Sequence, residues 1–516
     1  MTFPWLTVLG LLPMAGSLAT FVMRGRGGRI LAMLVALATL AFGLAVFFMN
    51  GTGERVRWIP QFGAWYALDV DGMSKLLVLL TVILVPIVLL AEWRLTRDPL
   101  GVTPMDGEEP SGVRVVSKWG VDSFAALVLL LESLTLYVFM ASDLLLFYIA
   151  FEATLIPMYF LIAVWGGARR TSAAMKFLLF SLAGGLILLV GVIGMYVISS
   201  RSHNPSLLIA DLTGLPMGDW TGRWLFMAFF VAFAIKAPMF PVHTWLPDAA
   251  EQARPAVSTL LVGTLDKIGT FGMIRFCLAF FPEASHWATP FVMVLAVISI
   301  LYGALMAIAS KNLLRLVAFT SISHFGFMVL GIFALTTVSL SGSIFYMLAH
   351  GLSSAAMFLV IGFLMQRRGS AMIADYGGAQ KLVPLMAGVF LVSGLATLGL
   401  PGTANFVGEF LIMAGSWQQH LVLVAVAVVA TVLAALYVLL AYQRVFTGPV
   451  TPQSERHMTR DLTWREKAVI APLIALILFF GFVPKPALGV ASSTASQAMV
   501  HTASTDPQPS VQTGGR

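Results

Sequence analysis

Ionisable side chains stand in the middle of long apolar stretches of this 516-residue sequence. Lys236 follows the run WLFMAFFVAFAI and lies between Trp224 and Trp245, residues that suit the two interfaces of a membrane. A charge near the centre of a bilayer is costly, so each such residue is a candidate for function. The candidates are Glu132, Glu152, Lys236, His243, Lys267, His324, His350 and Glu409.

These residue types can carry protons without a metal or a cofactor. Burial in an apolar medium lowers the pKa of a lysine and raises that of a glutamate, which brings both toward neutrality. Histidine titrates near neutral pH already. A glutamate beside a lysine stabilises the charged amine, so moving that glutamate away favours release of the proton. We therefore expect a proton path, and its residues follow one another along the chain as Glu152, Lys236, Lys267, His324, His350 and Glu409.

Purely structural roles are the alternative for the same residues. Glu152 and Lys236 could form a static ion pair that fixes helix packing, and Lys267 could pair with Asp266 beside it. His324 lies in FTSISHFGF, where neighbouring hydroxyl groups could satisfy it. The hydroxyls are those of Ser321 and Ser323, and structural roles stay open as well for Glu132, His243 and His350.

The composition indicates a membrane protein. Apolar residues make up 59% of the chain and charged residues only 11%, which excludes a soluble enzyme and a disordered chain. Continuous apolar runs favour helices over the alternating strands of a β-barrel. We predict about fourteen transmembrane helices in an all-α polytopic fold, at residues 3–23, 30–49, 72–92, 121–141, 143–165, 173–198, 222–250, 255–281, 288–309, 312–335, 340–366, 384–416, 419–446 and 466–484.

The loops between these segments predict the orientation. Of the 31 lysines and arginines, 20 fall in one set of alternate loops and 6 in the other set together with the C-terminal tail. Because the basic loops of membrane proteins stay in the cytoplasm, both chain ends are predicted to face outward.

Two of the predicted segments contain helix breakers. Segment 222–250 contains Pro238, Pro241 and Pro247, and segment 384–416 contains Pro401 between two glycines. A proline inside a helix removes a backbone hydrogen bond and kinks or breaks the helix. These are segments 7 and 12, five apart, so a second copy of a five-helix unit would be inverted, as in inverted-repeat transporters. Two unrelated proline kinks are the alternative.

These patterns also predict the organisation of the chain. The spans suggest an N-terminal three-helix segment with a polar loop, a five-helix repeat of spans 4–8, an inverted repeat of spans 9–13, a last helix with its loop, and a disordered Ser/Thr-rich tail. The corresponding ranges are 1–120, 121–281, 288–446, 447–490 and 491–516.

The sequence contains no recognisable cofactor site. Cys277 is the only cysteine, which excludes disulfides, cysteine-ligated zinc and iron–sulfur clusters held by this chain. The basic turn GRGGR at 25–29 lacks the strand and helix that a phosphate loop needs. We expect no metal and no cofactor here, so the energy for transport would come from an ion gradient or an attached partner.

Several motifs resemble one family, the antiporter-like membrane subunits of respiratory complex I, which are shared with Mrp-type cation/proton antiporters. The resemblance covers roughly residues 70–484, and within the family Glu409 is similar to the M type rather than to the lysine-bearing L and N types. The motifs are DLLLFYIAFEATLIPMYFLI, AIKAPMFPVHTWLPDAAEQARPAVSTLLVGTLDKIGTFGMIRF, SISHFGFMVLG, YMLAHGLSSAAMFLVIG and GLPGTANFVGEFLIM.

The resemblance implies a role for each buried residue. Glu152 and Lys236 would form the pair of the first half-channel. Lys267 and His324 would connect the two halves, and Glu409 would lead outward. Accessory positions would be Glu132, His243 and His350.

The resemblance also implies a setting in the bacterial inner membrane. The chain would translocate protons within an NADH:quinone oxidoreductase, beside L-type and N-type chains, while FMN, iron–sulfur clusters and quinone would be bound by partner subunits. No nucleic acid is implied as a partner. A sodium/proton antiporter chain, the membrane subunit of a hydrogenase-type complex, and a passive scaffold are the rival interpretations.

Overall fold

Helices make up most of the part of the chain that the computed structural model describes, which is residues 3–23, 25–93, 120–201, 205–502 and 504–506. Two strands, β1 (Glu54–Ile59) and β2 (Ala64–Leu68), pair as an antiparallel hairpin. The helices are α1 (Trp5–Met23), α2 (Gly25–Phe48), α3 (Gly72–Ala91), α4 (Val121–Met140), α5 (Leu144–Ala153), α6 (Leu155–Trp165), α7 (Arg170–Ser200), α8 (Ile209–Leu212), α9 (Asp219–Lys236), α10 (Trp245–Gln252), α11 (Pro255–Leu260), α12 (Lys267–Gly272), α13 (Pro282–Ala309), α14 (Leu313–Phe333), α15 (Thr337–Arg368), α16 (Pro384–Thr397), α17 (Ala404–Ser416), α18 (Leu421–Phe446), α19 (Pro452–His457), α20 (Trp464–Phe482) and α21 (Lys485–His501).

Within the described residues, eleven helices are long and apolar enough to cross a membrane, or up to twelve if the bent pair α20 and α21 is one span. The sequence predicts about fourteen spans. The difference lies mainly in segments 222–250 and 384–416, because each is divided between two shorter helices. The all-α polytopic fold is therefore confirmed, whereas the number of crossings and the inverted repeat stay predictions.

The two predicted breaks are confirmed. Helix α9 ends at Lys236, and the chain is irregular until α10 begins at Trp245. In the second break, Gly399 and Gly402 have φ angles of 75° and 93° between α16 and α17. Glycine adopts these left-handed angles at no steric cost, so the chain can turn there and start a new helix.

Other irregularities were not predicted. The expected span 255–281 consists of α11, a π-helical turn at Leu261–Leu265, α12, and a second π-helical turn at Met273–Leu278. The expected span 143–165 is also divided, at Thr154 between α5 and α6. Turns of π-helix occur often at functional sites, and here they flank the helix that begins with a buried lysine.

The C-terminal segment corrects one prediction. The tail from residue 491 was expected to be disordered, but residues 491–501 continue α21. The helix α21 packs through a stripe of small residues, because Ala487, Ala491 and Ala495 recur at helical spacing and are buried along one face. The hydroxyl of Thr494 on the same helix accepts a hydrogen bond from the backbone of Met73. Residues 94–119 of the predicted loop at 94–120, and residues 507–516 of the predicted tail, lie outside the described residues.

The core of the bundle is formed by the spans that carry candidate residues. Over their most apolar stretches, the segment Pro255–Leu278 and helices α14 and α15 are buried at every residue, whereas only 28% of α2 and 33% of α18 is buried. The outward faces of α2 and α18 are apolar, as expected for helices that contact lipid. The buried helices position Lys267, His324 and His350 inside the protein.

Candidate functional site

Lys236 lies at the first helix break. It is the last residue of α9 and is only 1% exposed. Its amine has no hydrogen-bond partner among the described residues, and it lies 5.3 Å from the ring centre of Phe151 and 5.7 Å from that of Phe177. Aromatic faces attract a cation, so this pocket can hold an ammonium group without fixing it in a salt bridge.

Glu152 lies beside the same pocket, near the end of α5. Its Oε1 atom is buried without a hydrogen-bond partner, so no hydrogen bond links it to the amine of Lys236. The carboxylate packs against Gly185 of α7, where an added Cβ would lie 1.6 Å from Oε1. The static ion pair considered from the sequence is therefore not formed, although Glu152 is one of the charged groups that act on Lys236.

Lys267 makes direct contacts toward the second half of the molecule. Its amine lies 2.7 Å from Nδ1 of His350 and donates a 2.8 Å hydrogen bond to the carbonyl of Val262 in the π-helical turn. It also lies 4.6 Å from the ring centre of Phe325. Because a charged amine only donates, Nδ1 of His350 accepts whenever Lys267 is protonated.

His324 and Glu409 come together at the second break. The ring of His324 lies 5.1 Å from that of His350, and its Nδ1 lies 3.4 Å from Oε1 of Glu409. The structural alternative for His324 is not what is observed, because Ser321 and Ser323 donate to backbone carbonyls instead. Contacts thus run from Lys267 to Glu409, and the step between the two histidines is ring packing without a described hydrogen bond.

We call Lys236, Lys267, His350, His324 and Glu409 the buried row. The geometry extends it by one residue that the sequence analysis missed, Tyr346 of α15. The hydroxyl of Tyr346 donates a hydrogen bond to Glu409 and is also hydrogen-bonded to Nδ1 of His324. Its position four residues before His350 places both side chains on one face of the helix.

Asp266 is a second buried residue of the site, which the sequence analysis considers only as a local partner of Lys267. It is 0% exposed, and neither carboxylate oxygen has a hydrogen-bond partner among the described residues. One turn later, Gly269 meets the end of α9 so closely that an added Cβ would lie 2.4 Å from the nitrogen of Ala237. Gly269 lies on the same side of the helix as Asp266, so this side packs toward the end of α9, where Lys236 lies. Asp266 acts electrostatically on both Lys236 and Lys267.

Two predicted accessory residues lie apart from these contacts. Glu132 of α4 is buried, and neither of its oxygens has a hydrogen-bond partner in the described part of the chain. His243 lies in the first break, with its ring 4.8 Å from that of Tyr302 and 5.8 Å from that of Phe240. Neither residue has a described hydrogen bond to the buried row, so their roles stay predictions.

A group of ion pairs joins α10 to helices from both predicted repeats. Asp248 of α10 pairs with Lys176 of α7 at 2.6 Å and with Arg315 of α14 at 2.7 Å. Arg315 also lies 3.0 Å from Glu251. The helix after the first break is thereby linked by ion pairs to a helix of each predicted repeat.

The described residues contain no group of three or more histidine, cysteine, aspartate or glutamate side chains that could hold a metal ion. Cys277 is a buried free thiol. The buried row consists instead of amines, imidazoles, a phenol and a carboxylate, which exchange protons. The expectation that this chain binds no cofactor stays a prediction.

Broken helices beside a buried row of titratable side chains are typical of one class of protein, the polytopic membrane proteins that transport ions. The chain belongs to the NADH:quinone oxidoreductase/Mrp antiporter family, whose transmembrane model matches residues 141–434.

Particular relatives agree with this assignment. A protein of Mycobacterium tuberculosis named NADH-quinone oxidoreductase subunit M is 45% identical over 536 residues, covering 98% of this chain and 96% of the relative. A protein of Rhodobacter capsulatus with the same name is 37% identical over 502 residues, covering 93% of each chain. A chain in the structure of respiratory complex I from Thermus thermophilus with bound NADH superposes with a TM-score of 0.85 at 29% identity, covering 96% of this chain and 99% of that chain.

Proposed function

We propose that this chain is the M-type proton-translocating membrane subunit of an NADH:quinone oxidoreductase. The observation that carries the proposal is the series of contacts that joins Lys267 to Glu409 through two packed histidine rings, in the most deeply buried part of the bundle. Long similarity to proteins named NADH-quinone oxidoreductase subunit M supports the same function.

The path has two halves in this proposal. Glu152 and Lys236 act in the first half, where the amine lies at the helix break without a fixed partner. Lys267 passes the proton on toward His324 through His350, and Glu409 releases it at the second break. Glu132 and His243 are accessory sites.

A shift of charge drives the transfer. A carboxylate that approaches a buried lysine stabilises its ammonium form, so its withdrawal favours release of the proton. Glu152 is suited to this part because its Oε1 atom has no hydrogen bond that its movement would break. The contact with Gly185 sets the position from which the carboxylate moves.

The redox chemistry belongs to partner subunits in this proposal. FMN, the iron–sulfur clusters and the quinone bind elsewhere in the complex, and L-type and N-type antiporter-like chains lie beside this one. The complex lies in the bacterial inner membrane with both ends of this chain on the periplasmic side, as the distribution of basic loops predicts.

The proposal is tested in the assembled complex, purified and reconstituted into sealed vesicles. We expect Lys236→Ala to lower NADH-driven proton uptake about tenfold or more, since a positioned proton-transfer group typically contributes roughly 10²–10⁴-fold to a rate. Assembly should survive, since alanine keeps the helix propensity of the position. Proton uptake is followed with a pH-sensitive dye.

Lys75→Ala is the matched control, because the Lys75 amine binds the backbone of Met49 and the side chain of Asn50, outside the buried row. Wild-type proton uptake by the Lys236→Ala complex would contradict the proposal. Sodium/proton exchange by the purified chain without the complex would favour the antiporter interpretation instead.

A further inference from the structure

Tyr346 occupies the position between the last two ionisable groups of the buried row. It lies on α15, is fully buried, and its hydroxyl is hydrogen-bonded to both His324 and Glu409. The direct separation between Nδ1 of His324 and Oε1 of Glu409 is 3.4 Å, longer than a good hydrogen bond. The better-bonded connection between imidazole and carboxylate therefore runs through the phenol.

The surrounding helices hold the ring in this position. An added Cβ on Gly408 of α17 would lie 2.7 Å from the Cβ of Tyr346, so only glycine lets α17 approach this closely. The titratable groups that act electrostatically on or contact the phenol are Glu409, His324, His350 and Tyr437. No described lysine or arginine forms a salt bridge with Glu409, so its described partners are the histidine and the tyrosine.

We propose that Tyr346 is a proton relay between His324 and Glu409, an inference that rests on the proposed function and makes its last step specific. The phenol O–H bond breaks and its proton forms an O–H bond on Oε1 of Glu409. The N–H bond at Nδ1 of protonated His324 breaks, and that proton re-forms the phenol O–H bond. His324 ends neutral, Glu409 ends protonated, and Tyr346 returns unchanged, so no other reactant is needed.

A purely structural role is the alternative, in which the hydroxyl only orients Glu409. The two roles differ in their kinetics, since a relay takes part in proton transfer and an orienting group does not. The test compares the Tyr346→Phe complex with wild type in sealed vesicles, for NADH-driven proton uptake and for the solvent deuterium isotope effect on that uptake. Tyr376→Phe is the matched control, because the buried Tyr376 donates only to the backbone of Ser370.

The relay predicts that Tyr346→Phe lowers proton uptake about tenfold or more and changes the isotope effect, at wild-type assembly, whereas Tyr376→Phe changes neither. Wild-type uptake with an unchanged isotope effect in Tyr346→Phe would overturn the relay. If Glu409→Gln blocks uptake in the same series, the proposed function stands without the relay. If Glu409→Gln also pumps like wild type, the proposed function itself fails.

A second variant covers the case in which Tyr346→Phe does not assemble. Incorporation of 3-fluorotyrosine at position 346 keeps the hydroxyl and nearly the same shape but makes the phenol more acidic. The relay predicts an altered rate and pH dependence of proton uptake at normal assembly. An unchanged rate and pH dependence would overturn the relay, because an orienting hydroxyl is retained in this variant.

Discussion

Glu409 is the residue at which the proposed path ends, so its ability to exchange a proton can be tested separately from its shape. We expect Glu409→Asp to keep partial proton uptake, because aspartate retains the acid and shortens the side chain by one methylene. Glu409→Gln should lose uptake, since the amide keeps shape and hydrogen bonding but cannot exchange a proton. NADH-driven uptake in vesicles at equal assembly measures the order. Uptake by Glu409→Gln at or above that of Glu409→Asp would mean that Glu409 serves packing only.

Most residues of the buried row could be predicted from the sequence, because a lysine or glutamate in an apolar run is conspicuous there. Tyr346 was missed, since its ring is as suited to an apolar core as the phenylalanines around it. Asp266 was considered only as a local partner of Lys267. Successive residues of a helix point about 100° apart, so neighbours in sequence face different helices. Here Lys267 contacts His350, whereas Asp266 has no hydrogen-bond partner in the described chain.

The helix elements explain why charges can occupy the interior of the bundle. Proline and glycine predicted both main breaks, because proline lacks a backbone donor and glycine accepts left-handed angles. The π-helical turn at Leu261–Leu265 could not be predicted, since no residue type is specific to it. Its widened turn directs the carbonyl of Val262 to the amine of Lys267. The π-helical turn thereby supplies a backbone hydrogen-bond acceptor for Lys267, which the pattern of side chains does not reveal.

Helix α7 offers a test of the position of Glu152. Glycine to alanine inside a helix usually stabilises by roughly 0.5–1 kcal/mol, but a Cβ on Gly185 would lie 1.6 Å from Oε1 of Glu152. The carboxylate must therefore move, and we expect Gly185→Ala to lower proton uptake several-fold while the complex still assembles. The same vesicle assay measures this effect.

The adjacent residue Gly184 provides the control for this experiment. An added Cβ there would meet Ile235 at 3.4 Å, which is ordinary contact, so Gly184→Ala should leave uptake near the wild-type level. Uptake at the wild-type level by both Gly184→Ala and Gly185→Ala would show that the placement of the Glu152 carboxylate does not matter.

The whole molecule buries its spans to very different degrees, from every residue in the most apolar stretch of α14 to 28% in that of α2. The composition predicted a membrane protein but not which of its helices are buried. The family and the helical fold could be predicted from apolar runs and long motifs. The helical course of residues 491–501 could not, because its serines and threonines resemble a disordered tail. A stripe of buried alanines on one face decides its packing instead. Burial of a face depends on what it packs against, which composition does not show.

The predicted orientation can be tested by labelling single cysteines. Cys277 is buried, so it should not react with an impermeant maleimide. We expect Val500→Cys, at an exposed position of α21, to react from the periplasmic side. Glu455→Cys, at an exposed position of α19, should react from the cytoplasmic side. Labelling in intact cells and in inverted membranes separates the two sides, and the reverse pattern would contradict the orientation.

The central claim is that protons cross the membrane along the buried row, and Lys267 in its middle tests it most directly. The measurement is the rate of NADH-driven proton uptake by the assembled complex in sealed vesicles, with Lys267→Ala compared with wild type and with the exposed control Lys381→Ala. The proposal predicts a loss of about tenfold or more in Lys267→Ala and none in Lys381→Ala. Proton uptake at the wild-type rate by a fully assembled Lys267→Ala complex would contradict it.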